Sequence, residues 1–240
     1  MRQRLDQLTA ARGLVASRSQ AESYIRLGQV TVDGQIVRKP GTMVADEVDI
    51  KVTAAEQYVS RAALKLASVA RTLHVDFRGR IVLDVGSSTG GFTQYALRQG
   101  AVKVIAVEVG RDQLHPSLRS DERIELHEQT DIRAFSTKEN IDVVVMDVSF
   151  ISLREILPHV ATLCGPSTDI VAMVKPQFEA SASSLKHKGV VKNDRMRRDI
   201  LKDFEAWMQS RFITVDKADS DVAGARGNLE RFYKLRPARK

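Results

Sequence analysis

The alternation of apolar and polar positions divides the chain into two unequal stretches. In the first 52 residues, Leu5, Leu8 and Ala11 recur at helical spacing before Gly13, and a second helical stretch runs through Tyr24, Ile25 and Leu27 to Gly28. Ser19 and Glu22 have the spacing of a capping box for that second helix. β-prone residues then alternate around Asp33-Gly34, so residues 29–32 and 35–37 predict a hairpin closed by a two-residue turn, with a third strand at 48–52. Residues 53–59 read as a connector, and from Ser60 the pattern changes. Apolar runs at 81–85, 102–107, 124–127, 141–146, 170–174, 212–215 and 229–235 alternate with amphipathic helical stretches, the first at 60–73. That alternation predicts an α/β domain with a seven-stranded, mostly parallel sheet covered by helices on both faces, preceded by a small α+β unit. The division is therefore 1–52, a linker at 53–59, and 60–240.

Composition adds direction to this outline. A chain of 240 residues with 43% hydrophobic content has room for one ordinary α/β domain and a small appendage. The appendage is too short to hold much core, so it is expected to pack against a neighbour or a ligand. A net charge of +7 attracts polyanions, although a basic balance also serves solubility alone. The charge is uneven. Between residues 1 and 44, Arg2, Arg4, Arg12, Arg18, Arg26, Arg38 and Lys39 face only Asp6, Glu22 and Asp33, and the segment 186–202 sets seven basic residues against Asp194 and Asp199. Each group reads either as a nucleic-acid surface or as a solvated face. The single cysteine, Cys164, rules out an internal disulfide, and no Cys/His spacing suits zinc. The N-terminus lacks the apolar stretch of a signal peptide, and no segment nears the roughly 18 apolar residues that span a bilayer. The expected setting is the cytoplasm, without membrane or metal partners.

Candidate chemistry gathers at the ends of the predicted strands. After Ile81-Val82-Leu83 comes Asp84-Val85-Gly86-Ser87-Ser88-Thr89-Gly90-Gly91-Phe92-Thr93, a glycine-rich turn that lets backbone approach a ligand and aims helix N-terminal amides at it. Glu108, ending the next strand, is placed to accept hydrogen bonds from ribose hydroxyls. The turn is GxxxGG, which departs from the GxGxxG of dinucleotide folds and lacks the lysine of a phosphate loop. Asp84 would repel a pyrophosphate but suits a cationic ligand. The bland alternative is a tight connection. Asp147 and Lys175 each follow an apolar run and should project into one crevice, either as chemistry or as a structural ion pair. Lys65 and Glu230, taken alone, read as surface charges.

Two resemblances organise these residues. The run Ser17-Arg18-Ser19-Gln20-Ala21 to Ile25-Arg26-Leu27-Gly28-Gln29-Val30-Thr31-Val32-Asp33-Gly34 resembles the S-four (S4) RNA-binding domain, which implies phosphate contacts by Arg4, Arg18, Arg26 and Lys39, with Arg61 beside them. The set Lys65, Asp147, Lys175, Glu230 resembles the K-D-K-E tetrad of FtsJ-type ribose 2′-O-methyltransferases, and more closely the TlyA family of rRNA methyltransferases, also called hemolysin A. The carriers are Val59-Ser60-Arg61-Ala62-Ala63-Leu64-Lys65-Leu66, the glycine-rich turn, Asp147-Val148-Ser149-Phe150, Val174-Lys175-Pro176-Gln177-Phe178-Glu179 and Gly227-Asn228-Leu229-Glu230. The resemblance implies a Rossmann-like fold, S-adenosylmethionine as cofactor, and a cofactor site of Asp84, Gly86, Ser87, Ser88, Gly90, Gly91, Phe92, Glu108, Asp131 and Asp147. Asp112 departs from the family pattern beside that site, and 182–193 fits it loosely.

Chemistry then assigns roles. A ribose hydroxyl needs a base, whereas a sulfonium leaves without an acid, so one base suffices. A lysine serves where a neighbouring cation and partial burial favour its neutral form. Lys175 is the expected base and Lys65 the neighbouring cation, with Asp147 and Glu230 orienting the lysines and the ribose. Amino-group methylation commonly uses an Asp/Asn-Pro-Pro-aromatic motif where this chain has Asp-Val-Ser-Phe, and cytosine carbon methylation needs a nucleophilic cysteine, whereas Cys164 reads as a small core residue. The expected substrate is a cytidine 2′-hydroxyl in ribosomal RNA or a ribosomal subunit. The short chain ends favour the large subunit and leave the small subunit open. The competing expectations are a non-catalytic RNA-binding protein and a membrane-active hemolysin; the latter requires a membrane-seeking segment that the sequence lacks.

Overall fold

The computed structural model describes residues 2–15, 17–53, 58–180, 191, 193–222, 224 and 227–238. Most of the predicted linker and the first part of the basic segment 186–202 therefore lie outside the described residues, as does most of 182–193.

The N-terminal unit runs β1 (Arg2–Arg4), α1 (Leu5–Ala11), α2 (Arg18–Arg26), β2 (Val30–Val32), β3 (Gln35–Ile36), β4 (Met43–Ala45) and β5 (Ile50–Val52). Asp33 and Gly34 both take positive φ, as the tight turn between β2 and β3 demands, and β5 pairs with the other edge of β2. The helix cap differs from the expected box. Ser17, in extended conformation, accepts from the Gln20 amide, because the helix already starts at Arg18 and Ser19 lies inside it. Leu5, Leu8, Tyr24, Ile25, Val30 and Ile50 form the core of this unit, which Leu64 and Val222 complete from the rest of the chain.

The larger unit contains α3 (Arg61–Ala70), β6 (Ile81–Val85), α4 (Gly91–Arg98), β7 (Lys103–Val107), β8 (Ile124–His127), β9 (Ile141–Met146), α5 (Leu153–Thr162), β10 (Cys164–Val174), α6 (Pro176–Glu179), α7 (Asp194–Met208), β11 (Phe212–Asp219) and β12 (Arg231–Pro237). Its seven-stranded sheet has the order β11-β12-β10-β9-β6-β7-β8. The pairs from β10 to β8 are parallel, while β12 is antiparallel to both of its neighbours. Strand alternation supplies two cores. Val143, Val145, Val171 and Met173 face α3 and α4, whereas Val144, Met146, Ile170 and Ala172 face α5 and α7. The strand order reverses between β6 and β9, so a crevice opens at their carboxyl ends. Among the boundaries that differ from expectation, β10 already starts at Cys164, β11 continues to Asp219, and Glu230 stands just before β12.

Candidate functional site

Each strand that reaches the crevice delivers one charged residue as it emerges from the core. β9 ends at Met146 and leaves Asp147 at the mouth; β10 ends at Val174 and leaves Lys175 there. Lys175 Nζ lies 2.6 Å from Asp147 Oδ1 and donates to Ser149 Oγ at 2.7 Å. Lys65, from α3, pairs with Glu230 Oε2 at 2.5 Å. Lys65 and Lys175 side chains are each only 10% exposed, so both cations are largely withdrawn from water and must be balanced by the carboxylates beside them. Burial pushes the Glu230 carboxyl up from the ordinary carboxylate range; Lys65 opposes this, and the charges of Asp147 and Lys175 also reach it. The structure thus gathers the four charges as two adjacent ion pairs.

A cleft of about 270 Å³ opens beside them, lined by Ser60, Arg61, Lys65, Asp84, Ser87 and Lys175, among others. Asp84 is fully buried, and its Oδ2 accepts from Thr93 Oγ1 at 2.6 Å. Its Oδ1, together with the Ser60 and Ser87 hydroxyl oxygens, has no hydrogen-bond partner among the described residues. Buried polar atoms left open in this way call for a ligand with several polar hydrogens. Burial drives the Asp84 carboxyl up to about 7 against the Thr93 hydrogen bond, and the charge of Asp147 adds to the rise.

A second cleft of about 430 Å³ shares Gly86, Ser88, Asp147 and Ser149 with the first. Glu108 lines it and accepts from the Ser88 and Gly110 amides at 2.9 and 2.8 Å. Asp131 lines it too, with its carboxylate already held by Arg133. Val107, Ile132, Val148, Ile151 and Ile156 supply an apolar wall suited to a flat ring.

Not every expected site residue faces these clefts. Phe92 lines the first, but Gly90 and Gly91 line neither. Gly90 caps α4 in the left-handed conformation. A Cβ on Gly91 would overlap Ser60 Oγ and crowd Ala62 Cβ and the Ala63 nitrogen, so only glycine lets the start of α4 pack against the start of α3. Asp112 lines neither cleft; its amide is held by Glu128.

The expected RNA-binding residues divide in the same way. Arg18, Arg26 and Arg61 line a polar cleft of about 310 Å³ between α2 and the larger unit, and Arg61 also lines the first cleft. Arg4 lies elsewhere and shares the buried Asp6 carboxylate with Arg18, each at 2.9 Å. Burial alone would raise that carboxyl, but the hydrogen bonds from Arg4 and then Arg18 hold it down at about 2. Lys39 is exposed and lines none of these clefts.

Ser60, Ser149 and Phe150 carry no assigned role in the sequence reading. Phe150 is 91% exposed, has φ 69°, lines the second cleft and meets Phe178 at 5.4 Å between ring centres. An exposed aromatic in a left-handed conformation at a crevice lip is the signal that would have singled it out.

Comparison with known proteins agrees with this arrangement. The FtsJ-like methyltransferase family model matches residues 58–236, and the S4 domain model matches residues 3–50. The 16S/23S rRNA (cytidine-2′-O)-methyltransferase TlyA of Mycobacterium tuberculosis is 37% identical over 241 residues, covering 98% of this chain and 90% of the relative. The 23S rRNA (cytidine-2′-O)-methyltransferase TlyA of Campylobacter jejuni is 41% identical over 180 residues, covering 74% of this chain and 70% of the relative. Among solved structures, a hemolysin-like chain of Streptococcus thermophilus superposes with a TM-score of 0.73 at 33% identity, covering 99% of this chain and 89% of that one. No helix among the described residues is long and apolar enough to cross a membrane. With an S4 domain in front and this fold behind it, the chain belongs to the FtsJ-like methyltransferase family, in its TlyA branch.

Proposed function

We propose that the chain transfers a methyl group from S-adenosylmethionine to the 2′-hydroxyl of a cytidine in ribosomal RNA, with the large subunit as the principal substrate. The observation that carries this reading is the convergence of Lys65–Glu230 and Lys175–Asp147 beside a cleft whose buried acceptors suit a cation. Asp84, Ser60 and Ser87 would hold the amino-acid end of the cofactor, Glu108 its ribose, and the apolar wall with Asp131 its adenine. When bound, the cofactor supplies an electrophilic methyl on a sulfonium that departs without a proton.

The protein's own task is to remove one proton and hold the oxygen. As the base, Lys175 must first release its own proton to solvent; its neutral amine would then take the hydroxyl proton onto Nζ while the methyl carbon passes from sulfur to that oxygen, and Asp147 and Ser149 keep the nitrogen aimed. Lys65, steadied by Glu230, places a cation beside the developing alkoxide. Residues 1–52 and Arg61 supply the RNA-gripping surface, and residues 60–240 the chemistry. The names of the two TlyA relatives support cytidine as target and the ribose as acceptor.

The test is to incubate the purified chain with the cofactor and separated ribosomal subunits, then map methyl groups by mass spectrometry. A new ribose methyl on a cytidine of large-subunit RNA is expected. Methylation of a base, or binding of RNA without any transfer, would defeat the proposal.

A further inference from the structure

We propose that Glu179 is a positioning residue: its buried carboxylate ties the loop after β9 to the loop after β10 and so sets the spacing between Asp147 with Ser149 and Lys175. The inference rests on the methyl-transfer reading above.

The need for such a tie follows from where the sheet stops. β9 and β10 pair in parallel only as far as Met146 and Ala172. Asp147 and Lys175 both lie beyond that last rung, so backbone pairing between the two strands does not fix their separation. Backbone bonds hold each residue only to its other neighbour, the Asp147 amide on Val85 O of β6 and Val174 opposite Arg231 of β12, so the direct ties between the two loops are made by side chains. At the inner end, Lys175 Nζ bridges to Asp147 and Ser149. At the lip, Phe150 meets Phe178. The third bridge is Glu179, four residues after Lys175 at the end of the single turn α6.

The Glu179 side chain is 1% exposed, and it faces the start of α5. Its Oε2 accepts from Ser152 Oγ at 2.6 Å, and its Oε1 accepts from the Leu153 amide at 2.8 Å. Ser152 in turn caps the Arg154 amide, and Arg154 Nε lies 3.8 Å from the carboxylate. A carboxylate supplied by a distant loop therefore satisfies an amide at the first turn of α5, where helix donors lack intrahelical partners. Ser152 is five residues after Asp147, so anchoring it anchors the whole β9 loop against α6. Proton transfer tolerates little slack: a misplacement of about 1 Å costs roughly a hundredfold in rate.

The test compares Glu179→Ala with Glu179→Gln in the full chain, reading kcat, KM for ribosomal subunits, cofactor affinity by calorimetry, and thermal unfolding. Glu179→Ala is expected to lower kcat by about 30- to 100-fold, while cofactor affinity and KM change by no more than about threefold. Glu179→Gln keeps an acceptor for the Leu153 amide and offers a donor to Ser152 Oγ, so most of the rate returns. Ser152→Ala, which removes one of the two bonds, gives an intermediate loss of about three- to tenfold and serves as the readout if Glu179→Ala does not fold. An undiminished kcat in either truncated variant overturns the inference, as does a parallel fall of rate, cofactor affinity and melting temperature that glutamine fails to rescue. A wild-type chain that transfers no methyl group overturns the reading beneath it; an active wild type with an unimpaired Glu179→Ala overturns the inference alone.

Discussion

Lys175 and Asp84 line the same cleft but govern different steps, and their variants should separate accordingly. Lys175→Ala removes the proposed base and leaves the buried acceptors of the cofactor end untouched. It should lower kcat by at least about 10³-fold, the upper part of the range for a general base, with cofactor affinity nearly unchanged by calorimetry. Unchanged turnover would remove Lys175 from the chemistry. Asp84 makes a prediction about pH. Its carboxyl stands at about 7 because burial disfavours the charge, so below neutrality the protonated form dominates. A cationic ammonium requires the carboxylate, so cofactor affinity should fall by about tenfold for each unit below that pH, with a proton released on binding. Calorimetry in two buffers of different ionisation enthalpy reads the proton directly, and affinity that stays flat from pH 6 to 8 would contradict the docking of a cation on Asp84. Asp84, Glu108, Asp147 and Lys175 were legible in the sequence because each is a charge at or just past the end of an apolar run, where strand geometry leaves few places to point. Ser60 and Ser149 were not, since a hydroxyl in a loop has no periodicity and its partner is fixed only by folding.

At the scale of elements, the strands of the large sheet were legible to within a few residues except at β10, which starts six residues before the expected run, because period-two burial on both faces writes itself into apolar runs. The pairing of β1 with β4 was not. Arg2-Gln3-Arg4 shows no apolar alternation, and its partners are Ala45, Val44 and Met43, more than 38 residues away. What anchors this region is Asp6, whose carboxylate gathers Arg4, Arg18 and the Gln7 amide. The arginine side chains are 40% and 49% exposed, so solvent screens the pairs and the full cost of breaking a buried pair does not apply. Asp6→Ala should therefore destabilise the N-terminal unit by about 1–3 kcal/mol, read as a lower urea midpoint of a probe placed in that unit. The pH dependence has a definite sign. Because the folded carboxyl sits at about 2, below its ordinary 3.8, the stability it contributes is complete above about pH 4 and is lost as pH falls toward 2. A midpoint that Asp6→Ala leaves unchanged at pH 7 would show that the cluster only occupies space.

At the scale of the whole molecule, the N-terminal unit does not close its own core: Leu64 from α3 and Val222 from the segment before Glu230 complete it. The sequence indicated that need through the unit's size, but not which residues would meet it, because Leu64 also reads as one more apolar position on an amphipathic helix. This shared core sets the two units so that Arg18, Arg26 and Arg61 line one cleft, and Arg61 continues into the cleft beside Lys175. A net charge of +7 alone would produce salt-dependent RNA binding from any basic face. The cleft makes a narrower claim. Arg18 already spends its charge on Asp6 and Glu22, whereas Arg26 and Arg61 have no such partner among the described residues and are free to meet phosphates. Every phosphate that an arginine no longer neutralises should reduce the slope of log affinity against log salt by about 0.7 to 0.9. The double variant Arg26→Gln/Arg61→Gln is thus expected to flatten the slope by about 1.5 for ribosomal RNA fragments, while Arg18→Gln changes it by less than either single variant of the other two. Titrations at several potassium chloride concentrations decide the matter: an unaltered slope in the double variant would place the RNA on another basic face, and an equal effect of Arg18→Gln would mean that Asp6 releases its arginine when RNA arrives.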